Sequence, residues 1–512
     1  MKSFIRVKNV GKYRYAYEIT PYYDKKTKNT KQKSRYLGKC VDGKITTPRS
    51  KLPMCTFDYG EFLPFMKILD ELAIGKILRS LLTESQANTI LALALNRVVR
   101  PVAMVNVRSW YEGTYLSKLY GDIPLSSQSL SEFMARVVGT STIPMEFSDR
   151  FIKEVGGGTP LLYDITSLSS TSRLMDVLEY GYNRDHEPLP QLNISMVAHK
   201  DLGIPLFFDI HPGSMVDITT LRNTIKKLNA LGLKRPTMVL DRGFFSETNV
   251  NEMVDNGYDF IMPAAFTSKE VKSLISASRS DIEKGRHLVR YRGMTIFVKP
   301  IKLDIGNGEV DGFLFYDMKR EQEEKERFYG QLYTVIERLK TRILKEWENP
   351  GRVFENISRE LSGCIDWKLR RGRFAIKVGD KAVSQHVNRM GFTVILQRGN
   401  HGWEEVLGWT RERDAIEKMF KQLKNDIEAK PLRAHKTEVA KGWIFVTFLS
   451  LIMRSRLTRM LKETELIKDY SIPSLLLELS KLKKVELSDG SIIITEVTKR
   501  QRKIFKDLDI NP

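Results

Sequence analysis

The chain has 512 residues, 42% of them hydrophobic, with 83 Lys and Arg against 62 Asp and Glu, a formal net charge of +21. That size and apolar content exceed one ordinary domain, and the charge favours a polyanionic partner, nucleic acid ahead of an anionic membrane. The three cysteines, Cys40, Cys55 and Cys364, show no close pairing, which excludes a disulfide framework and a zinc cluster, and no stretch reaches the length of a membrane span.

Residues 1–57 alternate apolar and polar around a basic turn, and predict a small basic β unit. Residues 1–51 hold fifteen Lys and Arg against Glu18, Asp24 and Asp42, with Tyr13, Tyr15, Tyr17, Tyr22, Tyr23 and Tyr36 interleaved. Such a mix suits phosphate contact, although an ordinary sheet produces the same pattern. Residues 58–155 read as helical, through 62–82, 85–99 and 129–138, either as a DNA-reading module or as plain helix packing. Gly156, Gly157 and Gly158 have no Lys-Ser/Thr after them, so they mark a junction and not a phosphate-cradling loop.

From Thr159 the pattern changes to strand 160–168, an extended piece near 175–180, and strands 193–199 and 205–210 hinged at Gly203. Helix 217–231, strand 237–241, helix 246–256 and strand 258–263 follow. Strands first, then alternating helix and strand, is the order of an α/β, ribonuclease-H-like mixed sheet with helices on both faces. Residues 156–263 and 406–461 make this core. Residues 264–405 form a β-rich insertion domain around a charged helix over 319–347, and residues 462–512 a C-terminal extension with a hairpin turn at Ser488-Asp489-Gly490.

Three acidic residues stand in settings that phosphoryl-transfer chemistry uses. Asp164 follows the apolar run Pro160-Leu161-Leu162-Tyr163, and Asp241 closes Thr237-Met238-Val239-Leu240 before the turn Arg242-Gly243. The two strands are expected as neighbours, so the carboxylates can meet. Glu417 lies on a predicted helix over 411–424, where Arg413, Glu417, Lys421 and Lys424 fall at offsets of four, four and three and share one face. Carboxylate oxygens suit a hard ion, Mg²⁺ with Mn²⁺ as a substitute. Two such ions held by Asp164, Asp241 and Glu417 would activate the attacking oxygen and stabilise the leaving one. Taken singly, an Asp at a strand end is more often a turn or cap residue, and Arg413, Lys421 and Lys424 fit a solvated helix face.

Arg413, three residues, Glu417, six residues, Lys424 resembles the last three positions of the Tyr-Arg-Glu-Lys signature of DDE transposases of bacterial and archaeal insertion sequences. Leu161-Leu162-Tyr163-Asp164-Ile165-Thr166 and Val239-Leu240-Asp241-Arg242-Gly243-Phe244-Phe245 are similar to that family's first two acidic blocks. Residues 181–186, 203–206 and 495–502 resemble one branch of it. The signature's Tyr position is Thr410, with Trp409 beside it. The resemblance implies a transposase that binds the terminal inverted repeats of its element in double-stranded DNA, cuts the strands and joins the 3′ hydroxyls to target DNA. It implies catalysis by Asp164, Asp241 and Glu417, a DNA grip from Arg413, Lys421 and Lys424, a homodimer on DNA, and a cytoplasmic place at the nucleoid. The alternatives are a structure-specific nuclease on the same fold, which cuts without joining, and a non-catalytic DNA-binding derivative.

Overall fold

The computed structural model describes residues 3–24, 28–41, 43–46, 52–158, 160–172, 175–182, 187–215, 217–306, 308–426, 434 and 436–512. Two compact units divide the chain. One comprises Met1–Pro64, Arg108–Asp122 and Lys468–Pro512, the other Phe65–Val107 and Ile123–Ile467.

In the first unit, β1 (Phe4–Val10), β2 (Tyr13–Asp24), β3 (Asn29–Val41) and β4 (Lys44–Thr46) form an antiparallel meander in chain order. Aromatic and β-branched residues favour such pairing. Tyr36 packs between Tyr15 and Tyr17, and the Lys39 ammonium lies 3.5 Å from the Tyr13 ring centre. β5 (Pro53–Asp58) leaves this sheet for a separate one completed from the far end of the chain.

The second unit is built on a nine-stranded mixed sheet. Its strands are β6 (Leu161–Ser169), β7 (Gln191–His199), β8 (Ile204–Pro212), β9 (Met238–Val239), β10 (Phe260–Pro263), β11 (Leu288–Tyr291), β12 (Met294–Ile305) and β13 (Gly308–Tyr316). β14 (Ile365–Arg370) and β15 (Arg373–Val378) form their own hairpin, and β16 (Phe392–Arg398) returns to the large sheet, whose order is β11-β12-β13-β16-β10-β9-β6-β7-β8. β6 is antiparallel to β7 and parallel to β9, and β9 is parallel to β10. A strand flanked on both sides and covered on both faces needs apolar residues throughout, and every residue of β6 except Asp164 is buried. Successive side chains point to opposite faces. Tyr163 hydrogen bonds Thr220 of helix Asp217–Ala230, while Asp164 meets Arg413, so helical segments cover both faces.

The predicted insertion is only partly separate. β11, β12, β13 and β16 extend the main sheet, with β16 antiparallel to β10 in the register Phe260↔Arg398 to Pro263↔Ile395. A free β10 edge would leave backbone donors and acceptors unpaired, and β16 satisfies them. What stands apart is a small cluster of its own, Phe328, Leu332, Leu339, Phe354, Ile365 and Phe374, built on helices Met318–Thr341 and Pro350–Ser358 and the β14–β15 hairpin. The extended piece at 175–180 is reduced to an isolated bridge, Glu179 to Gln191. The predicted helix over 62–82 is two helices, Leu63–Glu71 and Ile74–Leu81, separated at Ala73, whose φ of 51° is left-handed.

Helix Thr437–Glu463 is the core of this unit. Phe445 meets Phe147 edge-on at 5.6 Å, Phe448 packs on Phe208 of β8 at 4.8 Å, and Ser450 donates to the Ala94 carbonyl in helix Glu84–Val99. Burying each such aromatic contributes about 1.5–3 kcal/mol. Among the described residues, no single helix is long and apolar enough to cross a membrane. In the first unit, β17 (Lys483–Leu487) pairs with β5 and with β18 (Ile492–Ile494), through a turn at Gly490 whose φ of 78° requires glycine.

Candidate active site

Register brings the first two acids together. β6 and β9 pair in parallel with Leu162 opposite Val239. Two residues further along each strand direction, on the same face by the period of two, stand Asp164 and Asp241. The ladder continues past the short β9 through the Leu240 N–H, which donates to the Ile261 carbonyl. Asp241 then caps the 3₁₀ turn Arg242–Phe244, its Oδ1 accepting from the Arg242 N–H at 2.6 Å. Phe244 folds back under the strand and meets the Tyr163 ring at 5.5 Å, which braces the backbone on both sides of the acidic pair.

Glu417 comes from the other side of the chain. Helix Trp403–Glu412 ends at Arg413 and helix Asp414–Lys421 begins after it, with Ile416, Met419 and Phe420 as its buried stripe. Burying that stripe turns Arg413 inward. Its Nη1 lies 3.3 Å from Asp164 Oδ2, its Nη2 lies 3.2 Å from Asp241 Oδ1, and Nη2 also donates to Glu417 Oε1 four residues on. One guanidinium therefore spans all three carboxylates. Burial is graded: the side chains of Arg413 and Asp164 are 10% and 16% exposed, those of Asp241 and Glu417 43% and 54%. Arg413 and Asp164 form the floor, with the other two acids at the rim.

Arg413, expected to grip DNA phosphate, is buried here and paired with all three carboxylates. The shared helical face is also interrupted. A π turn, Gln422–Asp426, follows helix Asp414–Lys421, and its wider winding rotates Lys424 away from the α-helical phase. Lys421 is exposed and Lys424 half-buried. Thr410, at the signature's tyrosine position, donates its hydroxyl back to the Val406 carbonyl within its own helix. Neighbouring Trp409 packs edge-on to His401 at 4.9 Å.

Beside Asp164 and Asp241 opens a cleft of about 680 Å³, also lined by Tyr182, Asn193, Asp217 and Asn249. Asp217 lines this cleft from the first turn of helix Asp217–Ala230, where a sequence shows it only as an ordinary dipole partner. Residues 183–186, which carry part of the family resemblance, lie outside the described residues.

The donor set suits a hard divalent cation in its chemistry: three carboxylates against one guanidinium leave a surplus of negative charge on oxygen. Among the described residues, no three His, Cys, Asp or Glu side chains are arranged to hold one ion.

The family model of the transposase DDE domain matches residues 161–453, from the first residue of β6 into helix Thr437–Glu463. No curated protein matches the sequence. Among solved structures, the piggyBac transposase of a synaptic complex with hairpin DNA is similar at 9% identity over 84% of this chain and 82% of that one, with a TM-score of 0.36, too slight a likeness to carry function. With more than half of its length matched, and the match beginning at the strand that bears Asp164, the chain belongs to the transposase DDE domain family.

Proposed function

We propose that this transposase is of the insertion-sequence branch with the Tyr-Arg-Glu-Lys signature, and that it binds terminal inverted repeats, cleaves the DNA strands and joins the freed 3′ ends to target DNA. The observation that carries this is the convergence of Asp164, Asp241 and Glu417, from two parallel strands and a helix, on one cation. The order β8-β7-β6-β9-β10, three antiparallel strands followed by two parallel ones, supports a ribonuclease-H-like core for it.

Members of the family generally use divalent metal ions. Asp164, Asp241 and Glu417 would hold Mg²⁺, or Mn²⁺ in its place, which supplies charge neutralisation at the phosphate and polarises the attacking and leaving oxygens. Asp164, fixed in the sheet by a bond from the Ile165 N–H to its Oδ1 at 2.8 Å, presents Oδ2 in one orientation. Asp241 and Glu417, at the rim, are open to an incoming phosphate. Lys421, exposed one turn beyond Glu417, and Lys424 contact the DNA backbone. The basic sheet β1–β4 adds sequence-independent phosphate contacts through Arg6, Lys8 and Lys39. Two such chains pair the two ends as a homodimer.

End-labelled inverted-repeat DNA incubated with the protein, a target plasmid and Mg²⁺ tests the proposal. Both cleaved ends and strand-transfer products are expected. Cleavage without joining identifies a structure-specific nuclease instead, and binding without cleavage a non-catalytic derivative.

A further inference from the structure

We propose that Arg413 is an internal counter-cation: it assembles Asp164, Asp241 and Glu417 while no metal is bound, and divalent cations must displace it from them. The inference rests on the metal-dependent reading above and goes beyond a phosphate-gripping role for this residue.

Three observations carry it. The two guanidinium nitrogens are divided between acids, Nη1 facing Asp164 and Nη2 facing Asp241 and Glu417, so one side chain answers all three. Its side chain is only 10% exposed and that of Asp164 16%, so this pair is shielded from solvent, and without the guanidinium Asp164 would face the two rim carboxylates as a buried, uncompensated charge. Among the described residues no three acids are arranged to hold one ion together, and these three are each paired with the guanidinium. Metal entry therefore requires the positive group between them to withdraw. Arg413 joins helix Trp403–Glu412 to helix Asp414–Lys421, and withdrawal needs only rotation of its long side chain, which leaves its backbone in place. Glu417 at the rim is the acid freest to follow the metal. In its withdrawn position the guanidinium becomes available to a DNA phosphate, which couples metal loading to substrate contact.

Arg413 and metal then bind the same acids in competition, and removing one must strengthen the other. The test measures Mn²⁺ binding by calorimetry and the melting temperature without metal, on full-length protein with no DNA present. Wild type is expected to bind Mn²⁺ and Asp164→Asn to lose it. Arg413→Gln is expected to melt at a lower temperature without metal, to bind Mn²⁺ about tenfold to a hundredfold more tightly, and to gain more thermal stability from Mn²⁺ than wild type does. Arg413→Lys keeps the charge but cannot fork between acids, and serves if the glutamine variant does not fold; it should bind Mn²⁺ severalfold more tightly than wild type. Folded variants that bind Mn²⁺ no better than wild type overturn the counter-cation role while leaving the metal site standing. If neither wild type nor variants bind Mn²⁺, the metal-dependent reading falls and this inference with it.

Discussion

Asp241 is the residue on which catalysis separates most cleanly from binding, since it lies at the rim and supports only a one-turn 3₁₀ segment. Asp241→Ala is expected to lower cleavage of inverted-repeat DNA at least about a hundredfold, with DNA affinity changed less than about twofold, read from gel assays of cutting and binding. A second residue-scale prediction concerns Glu321. Burial alone would push its carboxyl up, but hydrogen bonds from Tyr316, Arg279 and Lys325 outweigh that and hold it down at about 2, against 4.5 for the free group. A depressed carboxyl contributes stability that is complete above 4.5 and lost as pH falls towards 2. Glu321→Gln should cost about 2 kcal/mol in urea unfolding at pH 7, and the gap should shrink across that acid window. At this scale the sequence was readable where a side chain's setting is local. Asp164 and Asp241 announced themselves as acids at the ends of apolar runs. The partner of Arg413 did not, because its three acids lie 249 residues before it, on another strand, and one helical turn after it.

Among the elements, the helix carrying Glu417 shows how periodicity succeeds and then fails. Ile416, Met419, Phe420 and Leu423 are buried as their spacing requires, yet the segment from 411 to 424 breaks at Arg413 and widens into a π turn at Gln422. Hydrophobic spacing tolerates a one-residue phase change that long-range packing imposes. A second close contact was equally hidden from the sequence. The π segment Met134–Gly139 lies so near helix Thr437–Glu463 that a Cβ on Gly139 would come within 1.9 Å of the Glu438 carbonyl oxygen, and one on Gly442 within 2.6 Å of the Met134 carbonyl oxygen. Neither neighbour is a flexible side-chain end, so Gly139→Ala forces the two backbones apart and is expected to cost about 1–3 kcal/mol by denaturant unfolding. Phe445→Ala, at a fully buried position on the same helix, should cost about 3–5 kcal/mol by the same measurement.

For the whole molecule, the order of strands in the core was legible because the β7–β8 connection is short and the crossovers through helices Asp217–Ala230 and Glu247–Asp255 leave few ways to pair. The fate of residues 264–405 was not. Strand-like runs at 294–303, 310–316, 374–378 and 392–397 reveal β12, β13, β15 and β16 but not β11, and nothing local states that β16 joins β10 and carries β13, β12 and β11 into the main sheet. Nor did the alternation in residues 1–57 reveal that β5 belongs with β17, more than four hundred residues away. Charge was legible throughout, and a surplus of +21 predicts that affinity for inverted-repeat DNA falls steeply and linearly in log-log terms as salt rises, measured by anisotropy. Catalysis by the three acids requires divalent cations to bind between them. Anomalous diffraction from crystals soaked in Mn²⁺ should place the metal in direct coordination with carboxylate oxygens of Asp164, Asp241 and Glu417 with Arg413 drawn away, whereas Mn²⁺ bound only elsewhere, with the three acids still closed on Arg413, would contradict it.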